Sequence, residues 1–80
     1  MRLDKFLKVS RLIKRRTLAK EVSDAGRVAI NGRVAKPSSE VKVGDIVEIG
    51  FGAKMLRVEI LEIKETVKAE EAKNLYRIVE

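Results

Sequence analysis

Nine cations crowd the first third of the chain: Arg2, Lys5, Lys8, Arg11, Lys14, Arg15, Arg16, Lys20 and Arg27. The chemistry open to them is phosphate binding. An ammonium presents a point charge, and a guanidinium presents a planar fork that grips two oxygens at once. Arg2, Lys5 and Lys8 recur every third residue, so on a helix they share one side. Lys14, Arg15 and Arg16 stand just before a helix expected over about residues 17–25. The first N–H groups of such a helix lack partners and, with its dipole, favour an anion. A lone Lys-Arg-Arg run reads as a solvated surface. Residues 1–37, however, hold 11 Lys/Arg and 3 Asp/Glu, a local charge of +8, while residues 38–80 hold 7 and 9, or −2. That imbalance inside a net charge of +6 points to a polyanionic partner, either nucleic acid or an anionic membrane face.

Asp4 is the exception in this basic stretch. It reads either as a favourable charge in the first turn of a helix or as an orienting partner for cations presented to phosphate, and spacing alone leaves both open.

The rest of the composition removes other classes of function. The chain has no histidine and no cysteine, which excludes Ser-His-Asp and Cys-His nucleophiles, imidazole or thiolate metal sites, and disulfides. Glu59 and Glu62, three residues apart, face opposite ways in a regular strand, and no Walker-type glycine loop is present. An enzyme, a cofactor, a metal and a small-molecule substrate are therefore not expected. Phe6, Phe51 and Tyr76 are the only aromatics, too few for a base-stacking platform. Recognition then rests on phosphates and shape, with strong salt dependence and weak sequence preference. No apolar run reaches the roughly 18 residues of a membrane span, and charges interrupt the N-terminal residues where a signal peptide would be apolar. The absence of cysteine suits a cytoplasmic setting.

These cations need a scaffold. Leu3, Phe6 and Leu7 fall at i, i+3, i+4 and predict a first helix over 3–9. Leu18, Val22 and Ala25, with Ala19 beside them, predict the apolar stripe of the second, with Thr17 as a partial cap and Gly26 as the stop. Asn31-Gly32 between Val28–Ile30 and Arg33-Val34 reads as a two-residue type I′ hairpin, so a structural role for Asn31 comes first and a base or ribose contact by its amide second. A loop over 36–39 follows, then Val41 and Val43 lead to a turn at Gly44-Asp45. Strands are expected over 46–49, broken by Gly50-Phe51-Gly52, and over 55–63, with a short helix over 69–75 and a closing strand at 76–79. The class is α+β, with two short helices packed on a small antiparallel sheet. At 80 residues it makes one domain, expected as a monomer.

The segments RLDKFL (2–7), RRTLAKEV (15–22), AGRVAING (25–32), KPS (36–38) and VGDIVEI (43–49) resemble the RNA-binding domain named after bacterial ribosomal small-subunit protein four, the αL motif. The resemblance places that domain over 1–50 and makes 51–80 a C-terminal β extension of the same compact unit. The opening run MRLDKFLKVSRLIKRRTLAKEVSDAGR is similar to the RqcP group of small relatives of heat-shock protein fifteen, and 63–80 to that group's short extension. The resemblance implies binding to 23S rRNA and P-site tRNA on the large ribosomal subunit left by a stalled ribosome. It also implies cooperation with an RqcH-type factor that adds alanine tails. Arg2, Asp4, Lys5, Arg16, Lys20 and Arg27 match the family's RNA face. Arg15 stands where many αL domains carry Ser or Thr, losing a helix cap and adding a phosphate-binding group. A general heat-shock ribosome-recycling factor and a binder of anionic membranes or acidic proteins are the alternatives.

Overall fold

The Leu3/Phe6/Leu7 stripe forms α1 (Leu3–Val9), and all three side chains are fully buried in the computed structural model, which describes residues 1–79. The first N–H groups of α1 all find acceptors. Leu3 donates to the Ser39 carbonyl at 2.7 Å, Asp4 to that of Pro37 at 3.1 Å, and Lys5 to Asp4 Oδ1 at 2.8 Å. The loop after the hairpin thus caps α1 and fixes Arg2, which bridges to Glu40. At the other end Arg11 takes a left-handed φ of 65°, and its N–H and that of Ile13 satisfy the Lys8 and Leu7 carbonyls.

The second helix, α2, spans Arg16–Asp24, one residue earlier than expected, and Arg15 rather than Thr17 occupies its cap position. The expected Leu18/Val22/Ala25 stripe is rotated. Ala19 and Ser23 are buried, Val22 is half-buried, and Leu18 is 46% exposed. Small side chains at i and i+4 leave little bulk on the face that turns inward. The Ser23 hydroxyl donates to the Ala19 carbonyl at 2.8 Å, so its burial leaves no orphaned group. Gly26, at φ 75°, ends the helix as expected. Its N–H reaches the Ser23 carbonyl and that of Arg27 reaches Val22.

Among the described residues five antiparallel strands follow: β1 (Val28–Ile30), β2 (Arg33–Val34), β3 (Ile46–Phe51), β4 (Lys54–Ile60) and β5 (Tyr76–Ile78), in the order β2-β1-β3-β4-β5. Asn31 (φ 52°) and Gly32 (φ 83°) turn the β1–β2 hairpin with both residues left-handed, as the type I′ reading requires. β3 does not break at Gly50. That residue pairs with Met55 and donates its N–H to the Arg27 carbonyl at 2.8 Å, so the turn waits until Gly52. β4 stops at Ile60 rather than 63, because the N–H groups of Leu61 and Glu62 swing to the Leu75 carbonyl. Glu62 therefore lies beyond the strand that pairs Glu59. Residues Ala69–Leu75 form a 3-10 helix, and β5 ends one residue short of the expected 79.

Val28, Val47, Ile49, Val58 and Ile60 alternate onto one sheet face and join Leu3, Phe6, Leu7 and Ile13 in a single buried cluster. Full burial of each such aliphatic side chain contributes about 1.5–3 kcal/mol. The fold is α+β, with two N-terminal helices on an antiparallel sheet.

Candidate nucleic-acid interface

The start of α1 and the start of α2 converge on one carboxylate. Asp4 sits in the first turn of α1 with its side chain only 4% exposed. Arg2 lays Nε against Oδ1 and Nη2 against Oδ2, both at 3.3 Å. Arg16, the first residue of α2, brings Nε to 3.6 Å from Oδ2. Asp4 Oδ1 also accepts the Lys5 N–H, which holds the carboxylate in one rotamer. Both guanidinium side chains stay half-exposed, at 52% each. Of the two roles that spacing left open for Asp4, the geometry supports the orienting one: a buried anion aims two cations outward side by side.

The α2 N-terminus adds donors. No side chain among the described residues caps it, and the first main-chain bond into the helix is the one Ala19 N–H gives to the Arg15 carbonyl, at 3.0 Å. The N–H groups of Arg16, Thr17 and Leu18 have no acceptor among the described residues. α1, whose equivalent groups are all satisfied, offers no such site. Next to Arg15 and Arg16, open donors and exposed forks meet at one end of one helix.

The remaining cations divide. Lys5 pairs with Glu65, and Arg11 donates Nη2 to the Val67 carbonyl at 3.4 Å. The hydrogen bond and charge of Lys5 hold the exposed Glu65 carboxyl below its ordinary value. Lys8 lies one turn from Lys5 on α1, Lys14 in the turn before α2, and Lys20 one turn beyond Arg16; none of the three has a carboxylate partner among the described residues. Arg27 is exposed past the far end of α2, roughly 13 Å of helix from Arg16. The structure therefore joins Arg2, Asp4 and Arg16 by direct contact, places Arg15 at the cap of the helix that Arg16 opens, and puts Lys20 one turn further along it. Arg27 stands apart from that group.

Asn31 is structural. Its amide donates to Asp45 at 3.1 Å and accepts the Ile46 N–H at 2.9 Å. Asp45, 4% exposed and expected from the sequence only as part of a turn, accepts the Lys42 N–H on its second oxygen at 3.0 Å. The pairing of Asn31 with an acid fourteen residues away carries no local sequence signal. No helix among the described residues is long and apolar enough to cross a membrane.

The S4 domain family matches residues 1–47, the stretch that contains both helices, the hairpin and the start of β3. The chain belongs to the S4-domain family. Over 79 residues this S4-domain chain is 63% identical to the RQC P-site tRNA stabilizing factor of Bacillus subtilis, covering 99% of the chain and 92% of that relative. It is 58% identical over 79 residues to the protein of the same description from Streptococcus pneumoniae, covering 99% and 90%. Among solved structures it superposes on a trimeric structure of Vibrio cholerae heat shock protein 15 with a TM-score of 0.90. That pair shares 36% identity, over 99% of this chain and 81% of that one.

Proposed function

We propose that this S4-domain chain is a non-catalytic RNA-binding factor of ribosome quality control. It acts in the cytoplasm, as a monomer, on the large ribosomal subunit left by a stalled ribosome. It binds 23S rRNA and P-site tRNA there and supports alanine tailing by an RqcH-type factor. The observation that carries the reading is the Arg2–Asp4–Arg16 arrangement, two guanidinium groups braced by one buried carboxylate beside an uncapped helix start. A phosphodiester approaching that point meets two planar forks and free N–H donors at once. Arg15, Lys20, Lys14, Lys8 and Arg27 extend the contact along the backbone, and Lys5 and Arg11 join it when their internal partners yield. Identity of 63% to a protein described as stabilizing P-site tRNA supports the choice of RNA and of setting.

Binding of a structured rRNA or tRNA fragment, measured by fluorescence anisotropy across a salt series, tests the site. Arg16→Ala is expected to weaken affinity for all sequences alike and to lower the log–log salt slope by about 1, as loss of one phosphate contact does. Unchanged affinity and slope in a folded variant would exclude the assignment.

The likeness to heat shock protein 15 favours a second reading, a general ribosome-recycling factor. Deleting the gene in a strain that tails stalled chains separates the two. Loss of alanine tails supports the quality-control role, and unchanged tails support recycling.

A further inference from the structure

Two cations of the basic surface are engaged from within the chain by a segment that is neither helix nor strand. Residues 61–68 leave the end of β4 and turn back over α1. At one end the Leu61 and Glu62 N–H groups donate to the Leu75 carbonyl at 2.8 and 3.2 Å. Further along, Ile63 and Val67 pack against the core. Between those apolar anchors Glu65 meets Lys5 Nζ across 60 positions of sequence, and at the second anchor the Val67 carbonyl meets Arg11 Nη2 across 56.

The two acids on this surface differ in kind. Asp4 is buried, belongs to the helix it serves and is fixed by a main-chain N–H. Glu65 is 74% exposed and has no hydrogen-bond partner besides Lys5 among the described residues. Asp4 braces its arginines whether or not a ligand is present. Glu65 holds its lysine in the way that a phosphate oxygen would, and a single exposed pair of this kind is readily exchanged.

We infer that residues 61–68 form an intramolecular strap in which the Glu65 carboxylate stands in for a phosphate on Lys5, and that bound RNA displaces it. The inference rests on the RNA-binding reading above and adds to it a built-in competitor. In the free protein the strap engages Lys5 and Arg11 without burying them, so first contact falls to cations it leaves alone, Arg2, Arg15 and Arg16 among them. Engagement of Lys5 follows only where a phosphate reaches far enough along α1 to take the place of Glu65. The strap thereby penalises short or poorly shaped polyanions and favours an RNA that spans both helices.

A double-mutant cycle on the full chain tests this: wild type, Glu65→Gln, Lys5→Ala and the double variant. Each is titrated with a structured RNA hairpin at low salt, with Glu70→Gln as a control for net charge. Glu65→Gln is expected to tighten binding about two- to five-fold, the range of an exposed ion pair. The gain should be larger than that of Glu70→Gln and should shrink when Lys5 is Ala. Equal gains from Glu65→Gln in both Lys5 backgrounds would reduce Glu65 to general repulsion and overturn the strap. A second measurement needs no RNA. The Glu65 side-chain carboxyl, followed by NMR in the free protein, is expected to titrate below its ordinary value and to return to it in Lys5→Ala. An ordinary titration in wild type overturns the strap itself. A low titration together with no RNA binding by wild type overturns the RNA-binding reading, and with it the release step.

Discussion

Asp4 contacts the guanidinium groups at the start of both helices. Removing its charge while keeping its shape, as Asp4→Asn does, raises the net charge by one and leaves an acceptor for the Lys5 N–H. If the number of cations governed affinity, RNA binding would tighten. Because Asp4 aims Arg2 and Arg16, binding is expected to weaken instead, by about five-fold for roughly 1 kcal/mol of lost ordering. Anisotropy titrations with a circular dichroism check on folding measure it, and tighter binding would remove the orienting role. Sequence reading found Asp4 and all its cationic neighbours, since charge type and threefold spacing are local properties. It left the role of Asp4 open, because the arginine that decides the matter, Arg16, approaches from another helix. Asp45 and the strap contacts of Lys5 and Arg11 escaped for the same reason: their partners lie 14 to 60 residues away.

Among the elements, the ones fixed by local rules were legible and the ones fixed by packing were less so. α1 and the Asn31-Gly32 hairpin fall where the apolar stripe and the left-handed turn pair put them. α2 has the expected place and a rotated face, because packing chose small Ala19 and Ser23 over larger Leu18 for the inner side. β3 continues through Gly50 because glycine keeps an ordinary strand conformation where both its neighbours supply ladder partners. β1 carries the clearest test of the packing itself. Val28 is fully buried and paired with Ile49, so Val28→Asp places an unpaired charge in the core. That variant is expected to lose cooperative unfolding in urea, while the edge substitution Val34→Asp, at a residue 72% exposed, is expected to keep it. A folded Val28→Asp protein would reverse the assignment of the inner sheet face.

At the scale of the molecule, the family match ends inside β3 while the sheet does not. β4 hydrogen-bonds onto β3 and β5 onto β4, and Val58, Ile60 and Leu75 sit fully or nearly fully buried in the same cluster as Leu3 and Phe6. We therefore take residues 1–50 and 51–80 as one folding unit. A chain cut after residue 50 loses three buried aliphatic side chains worth about 1.5–3 kcal/mol each, against a whole-domain stability of roughly 5–15 kcal/mol. It is expected to be unfolded by circular dichroism, and a folded fragment would show that the cationic helices stand alone. The same layout has an optical corollary. Tyr76 is the one phenol in a chain without indole, and it opens β5, half-buried at the outer margin of the sheet. Its intrinsic ultraviolet emission is thus a label-free probe of that margin. It registers peeling of the last strand separately from melting of the helices, which backbone ellipticity follows.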